Sequence, residues 1–246
     1  KFSTDLLREK FDLIVIALSH SGINFISKEI KKLKLKNPIL VITKGLKYEK
    51  KNNKILTIPE QLKKNYNGMN ISVLKGPCLA KKLARKSHTS VIVANKNIKI
   101  AKQIGKMIST KYYAIEFSND IIGVEVCSAI KNIYAMIIGA GQSLNRSSSL
   151  FQKSIIEMKY LTKYFKGKEV TTLGLAGVGD LYVSAAGGRN SKMGSYLGKG
   201  FTFKNAKKKF MPKDTVEGEQ LAREIAPYIL KKINKKAVHF DLHKSL

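Results

Sequence analysis

The apolar positions change period once along the chain. Up to residue 117, short continuous apolar runs alternate with segments of helical spacing, the pattern of a parallel sheet with helices crossing between its strands. Runs at 12–18, 38–43, 71–74, 90–94 and 112–117 predict strands, the first of them buried on both faces. Ile23, Ile26, Ile30 and Leu33 recur at spacings of three and four and predict a helix with one face on that sheet; residues 97–108 predict another. From about residue 118 the helical period takes over. Residues 120–144 are apolar almost all round, which predicts a buried central helix. Further helices are expected over 149–165, after Gly188, and over 216–233, where Pro227 is expected to kink or divide the last. The Lys- and Asn-rich stretches 48–54 and 204–209 read as solvated loops or helix faces. The expected class is α/β: a doubly wound parallel sheet over residues 1–117, then an all-helical unit over 118–246. Open sheets of this kind carry their working groups just past the carboxyl ends of the strands, which singles out Ser19, Lys44 and Gly76.

Composition narrows the function. An apolar share of 43% in 246 residues is enough to build a core and excludes a disordered tail. Two cysteines exclude a disulfide scaffold and suit a reducing compartment. Neither they nor the four histidines have metal-ligand spacing, so no metal is expected and the histidines read as structural or exposed. Apolar runs at 13–18 and 133–140 fall short of the roughly 20 residues that span a bilayer. The first ten residues carry charges of both signs and lack a signal-peptide core. A soluble, cytoplasmic protein without a membrane partner is expected. The formal charge of +29 invites a nucleic-acid reading, yet only five of the 46 basic residues are arginine, the preferred fork for phosphates and bases. Lysines on solvated faces explain the charge without a specific nucleic-acid partner. No acidic residue lies between Glu60 and Glu116, and a positive surface there draws in phosphorylated small molecules.

Three features carry chemistry. Lys131 is the only charged side chain from residue 126 to 145. A buried ammonium is costly unless paired, and one that loses its proton readily acts as a general acid or base. Asn132 beside it can orient a substrate oxygen. The glycines of Gly174-Leu-Ala-Gly-Val-Gly-Asp180 permit tight turns that deliver Asp180, a carboxylate suited to pair with Lys131. Gly187-Gly-Arg-Asn190 precedes a helix start, where backbone N–H groups and Arg189 favour a phosphate.

The strand-end Thr43-Lys-Gly45, Gly-Pro-x-x-Ala at 76–80, Ala129-Ile-Lys-Asn-Ile-Tyr-Ala135, residues 174–181, Gly188-Arg-Asn190 and Val216-Glu-Gly218 occur in one order. In that order they resemble the NAD(P)-dependent glycerol-3-phosphate dehydrogenases. The resemblance implies a partial Rossmann-type domain followed by a helical domain, NAD or NADP as cofactor, and interconversion of sn-glycerol 3-phosphate and dihydroxyacetone phosphate for phospholipid synthesis. It implies Lys131 and Asp180 as catalytic residues. Lys44, Gly76, Cys78, Asn132, Ser184, Arg189 and Asn190 would line the substrate, and Lys44, Ala80, Arg189 and Glu217 the cofactor. A homodimer is expected because such helical domains pair. Alternatives are a related hydroxyacid dehydrogenase and a non-catalytic basic relative. The chain contains no G-x-G-x-x-G loop, and against the family it reads as a piece lacking both ends, with poor activity of its own. Lys82 stands where the family commonly has Glu, and Cys78 where it has Ser; the reversed charge at residue 82 implies altered cofactor preference or weakened catalysis.

Overall fold

The computed structural model describes residues 11–232 together with Leu7 and Glu9; His239, His243 and the predicted helix end at residue 233 lie outside them. Five strands form one sheet in the order β1 (Ile14–Ile16), β2 (Ile39–Val41), β5 (Ile71–Lys75), β6 (Thr89–Ala94), β7 (Tyr113–Ser118). Successive residues of β2 face opposite cores. Ile39 and Val41 join the larger cluster with α1 (Ile23–Leu33) and α5 (Ile121–Gly139), whereas Leu40 packs with Leu74, Val91 and Val93 towards α4 (Ile98–Ile108). Burial on both faces is why β2 reads as a continuous apolar run.

Two expectations about the sheet are corrected. It is not wholly parallel: β5 and β6 pair antiparallel, with Val73 opposite Ala94, while the other three pairs are parallel. Residues 76–88 between them hold only the five-residue helix α3 (Ala80–Ala84), too short to cover the sheet in a crossover, so the chain turns back. Nor is β1 buried on both faces, because it forms an edge and leaves Val15 47% exposed. The carboxyl ends of β1, β2 and β5 still share one edge, and there Ser19, Lys44 and Gly76 emerge.

The Lys- and Asn-rich stretch 48–54 is not simply a loop. It forms the turn and flanks of a hairpin, β3 (Leu46–Glu49) with β4 (Lys54–Thr57), which leads into α2 (Ile58–Lys63). A capping box starts α2: the Thr57 hydroxyl accepts from the Glu60 backbone N–H and the Glu60 carboxylate accepts from the Thr57 N–H.

Asp120 caps α5 by accepting the Gly123 N–H at 2.9 Å. The helix ends at Gly139, earlier than expected, and residue 144 already opens α6 (Leu144–Tyr164), capped by Ser143. Nearly all of α5 is buried, and each fully buried Ile or Leu contributes roughly 1.5–3 kcal/mol. Among the described residues it is the one helix long and apolar enough to cross a membrane; 89% of its most apolar window is buried inside the protein, as in a core helix. After α6 come a π-helical turn (Leu175–Gly179), α7 (Asp180–Ala185), α8 (Arg189–Gly198), α9 (Phe203–Phe210) and α10 (Glu217–Lys232), with Pro227 inside α10 but not dividing it. α8 crosses α5 backbone to backbone, since a Cβ on Gly194 would stand 1.9 Å from the Met136 carbonyl oxygen.

Candidate active site

A cleft of about 530 Å³ opens where the β1 and β2 ends meet α5 and α10. Ser19, His20, Thr43, Lys44, Ala129, Asn132, Glu217 and Glu224 are among its lining residues. α5 brings Asn132 to the wall and keeps Lys131, one residue earlier, 6% exposed.

The Lys131 ammonium donates to Asp180 Oδ1 at 2.8 Å and to Ser184 Oγ at 2.5 Å. Asp180 opens α7 and Ser184 lies one helical turn later, so a single short helix supplies both acceptors. The irregular π-helical turn of the glycine-rich run directly precedes Asp180 and sets its approach. The other carboxylate oxygen, Oδ2, accepts from Lys44 Nζ at 2.6 Å, so one buried acid joins two lysines. Burial, and then the nearby Lys44 charge, pull the Lys131 pKa down to about 8 against the opposing pull of Asp180. Lys131 therefore changes protonation near neutral pH, as proton exchange requires.

A second network starts at the neighbouring residue. Asn132 Nδ2 donates to Glu217 Oε2 at 2.9 Å, Asn190 Nδ2 donates to Asn132 Oδ1 at 3.0 Å, and the Gly218 N–H donates to Asn190 Oδ1 at 2.9 Å. Gly218 makes this possible. A Cβ there would lie 2.5 Å from the Asn132 carbonyl oxygen, so only glycine lets the start of α10 come so close to α5. Arg189, at the first turn of α8, is 3.9 Å from Glu217 and over half exposed. No side chain caps that helix start, which leaves its first N–H groups free for an anion.

Lys44, Asn132 and Glu217 line the cleft, and through hydrogen bonds and ion pairs the fold ties Lys131, Asp180 and Ser184 to Lys44, and Asn190 and Arg189 to Asn132 and Glu217, without these five being among its lining residues. Gly76 and Cys78 lie behind them on the loop after β5, with Pro77 near Gly179; the Cys78 thiol, half-buried, is pushed up by desolvation. Ala80 stands exposed at the start of α3 and does not line the cleft, and Lys82 is exposed on the same helix. Sequence reasoning missed Lys75 and Glu125, a buried ion pair at 2.8 Å beneath the Lys44 loop. The available signal was a lone acid, Glu125, opening the apolar run of α5.

Comparison with known proteins places this geometry. Residues 3–101 match the NAD-dependent glycerol-3-phosphate dehydrogenase N-terminus, and residues 120–245 match the C-terminus of the same family. The NADP(+)-dependent glycerol-3-phosphate dehydrogenase of Archaeoglobus fulgidus is 29% identical over 80% of this chain and 62% of its own length. The glycerol-3-phosphate dehydrogenase (NAD(P)+) of Clostridium botulinum is 31% identical over 80% of this chain and 61% of its own. The chain therefore spans about three-fifths of these relatives. The crystal structure of glycerol-3-phosphate dehydrogenase from Coxiella burnetii, 27% identical, aligns over 96% of this chain and 74% of that one with a TM-score of 0.82. The Plasmodium falciparum structure, 21% identical, covers 95% and 68% with a TM-score of 0.86 and carries the likeness of fold alone. With a Rossmann-type sheet joined to these helices and both halves matched in order, the chain belongs to the NAD-dependent glycerol-3-phosphate dehydrogenase family.

Proposed function

We propose that the chain interconverts sn-glycerol 3-phosphate and dihydroxyacetone phosphate with NAD or NADP, supplying glycerol phosphate for phospholipid synthesis. The observation that carries this reading is Lys131, buried, with a pKa of about 8, held by Asp180 and Ser184 and tied through Asp180 to Lys44, which lines the cleft. In reduction, Lys131 gives its proton to the C2 oxygen; in oxidation it takes that proton back. Asp180 and Ser184 fix the Lys131 nitrogen during both. Arg189, Asn190 and the open start of α8 hold the phosphate, which anchors C2 relative to Lys131. Gly76 and Cys78, on the loop after β5, would back the substrate site from behind these residues.

A nicotinamide cofactor fits the cleft in position and chemistry. It opens at the carboxyl ends of β1 and β2, where open α/β sheets take nucleotides, and Lys44 offers it a cation. Lys44, Arg189 and Glu217 would hold its reactive end and Ala80 a more distant part; the cofactor supplies or accepts hydride at C2. We place the division between cofactor and catalytic units at residues 117/118, beside the end of β7. A cytoplasmic location agrees with two free thiols. A homodimer is supported by the exposed stripe Ile156, Tyr160 and Tyr164 on α6, at helical spacing.

The test is oxidation of NADH, and separately NADPH, with dihydroxyacetone phosphate. It is run on the 246-residue chain and on a form extended by an N-terminal strand and phosphate loop, each beside Lys131→Ala. Turnover by the extended form that disappears with Lys131→Ala is the expected result. A folded extended form inactive with both cofactors overturns the proposal.

A further inference from the structure

Lys75 ends β5 with its side chain fully buried. Its ammonium donates to the carbonyl oxygens of Ile42, at 3.2 Å, and of Thr43, and faces Glu125 Oε1 at 2.8 Å. The ammonium thus sits among three oxygens, donating to two carbonyls and ion-paired with the carboxylate. The carbonyls belong to the two residues beyond the end of β2, leading directly to Lys44. Glu125 lies on α5, six residues before Lys131, and its Oε2 accepts from the Ile58 N–H at the start of α2, at 3.2 Å. One buried pair therefore touches the β2 loop, β5, the head of α2 and the helix that carries Lys131.

We propose that Lys75 and Glu125 are positioning residues that hold the Thr43–Lys44 segment so that Lys44 reaches Asp180 and shares it with Lys131. The proposal rests on the catalytic reading of Lys131 above. Desolvating two charges is expensive, and an apolar pair of similar volume packs as well or better, so stability alone gives little reason for this pair. Its geometry supplies one. Lys75 gives donors to carbonyls that have left the sheet ladder, and the next residue is the one that must reach Asp180 at 2.6 Å. Glu125 fixes the Lys75 ammonium to the same helix as Lys131, so the two lysines that share Asp180 are referenced to one rigid element.

The test is the double variant Lys75→Met/Glu125→Gln. It removes both charges at nearly constant volume, whereas Lys75→Met alone strands a buried carboxylate. The groups facing Lys131 are Asp180 and Ser184 from α7, Lys44 from the β2 loop and Glu217 from α10. Release of Lys44 removes a nearby cation and leaves Asp180 to Lys131 alone; both changes favour the ammonium. Competitive acetylation by acetic anhydride across pH, quantified for the Lys131 peptide by mass spectrometry, reads this without turnover. In the double variant the midpoint should rise by about one pH unit, a tenfold fall in labelling rate below the midpoint. Where the parent turns over, kcat should fall while KM for the ketone phosphate moves less than twofold, because Arg189 and Asn190 are untouched. A double variant that melts cooperatively and keeps the parental Lys131 midpoint overturns the proposal. So does a rise in KM with kcat unchanged. A folded extended form without turnover defeats the proposed function and leaves the labelling test intact.

Discussion

Replacing Lys131 by Met tests whether the buried ammonium is as strained as its surroundings imply. Met keeps an unbranched chain of similar length, and Asp180 stays paired with Lys44, so the change strands no buried charge. In the native chain the Lys131 pKa is about 8, against an ordinary value of 10.5. The gap of about 2.5 units corresponds to about 3 kcal/mol at 1.36 kcal/mol per unit. The sign follows from proton counting. Between pH 8 and 10.5 the unfolded chain still holds this proton and the native one has released it, so parental stability rises with pH through that window. Below pH 8 both states hold the proton and the full cost is present. Lys131→Met lacks this titration, and the other lysines and the tyrosines cancel in the difference between the two proteins. Urea unfolding followed by far-UV circular dichroism at steps from pH 7 to 10.5 should show the parent gaining about 3 kcal/mol relative to the variant. A difference that is flat across that range, or falls with pH, refutes the argument that Lys131 titrates low because it is buried.

Asp180→Asn removes the carboxylate that raises the Lys131 pKa, and a charge-assisted bond of about 1.5–3 kcal/mol corresponds to one to two pH units. The pH–rate profile for ketone reduction should move to lower pH by that amount, with slower turnover at pH 7.5; an unmoved profile counts against the pairing. Arg189→Ala should raise KM for dihydroxyacetone phosphate by about 10- to 100-fold through loss of one charge-assisted contact, and affect unphosphorylated dihydroxyacetone far less, through the cofactor contact alone. Equal losses on both substrates would take Arg189 away from the phosphate. Gly218→Ala sets a Cβ 2.5 Å from the Asn132 carbonyl oxygen, and such overpacking should destabilise by about 1–3 kcal/mol and lower Tm. A variant that melts like the parent would show that α10 can shift away from α5 freely.

Much of the fold was readable because burial leaves a period. β2 and residues 91–94 of β6 are buried on both faces and appear as unbroken apolar runs, and α1 and α4 show the three–four spacing of a one-sided helix. The hairpin escaped because its turn and exposed flanks are Lys and Asn, and its buried residues are just Leu46, Ile55, Leu56 and Thr57. The Thr57-x-x-Glu60 capping box with Pro59 was the local sign that a helix followed. The direction of β6 was hidden because strand polarity depends on what a connection can span, not on the strand's own residues. At the site, Lys131 stood out as a charge within an apolar helix. Lys75 did not, since one lysine among 41 carries no mark of burial, and only the fold sets its ammonium against the Ile42 and Thr43 carbonyls.

Seventeen acids face 46 basic residues in this chain, and the distribution of the few acids is what separates a site from a basic surface. The whole surface attracts an anion, but mobile lysines give it no preferred orientation. Around the cleft, three carboxylates each hold two groups. Asp180 holds Lys44 and Lys131, Glu125 holds Lys75 and the Ile58 N–H, and Glu217 holds Asn132 and, at 3.9 Å, Arg189. The first two pairings are short and largely buried, so those lysines are neutralised and fixed. The last is long, with Arg189 55% and Glu217 46% exposed in their side chains. Arg189 is consequently the cation in this cluster most readily exchanged from its carboxylate to an incoming phosphate, while Lys131 keeps its partners and its proton chemistry. Salt should weaken capture of the anion far more than it alters the titration of Lys131, because screening acts on exposed charges and much less on buried ones.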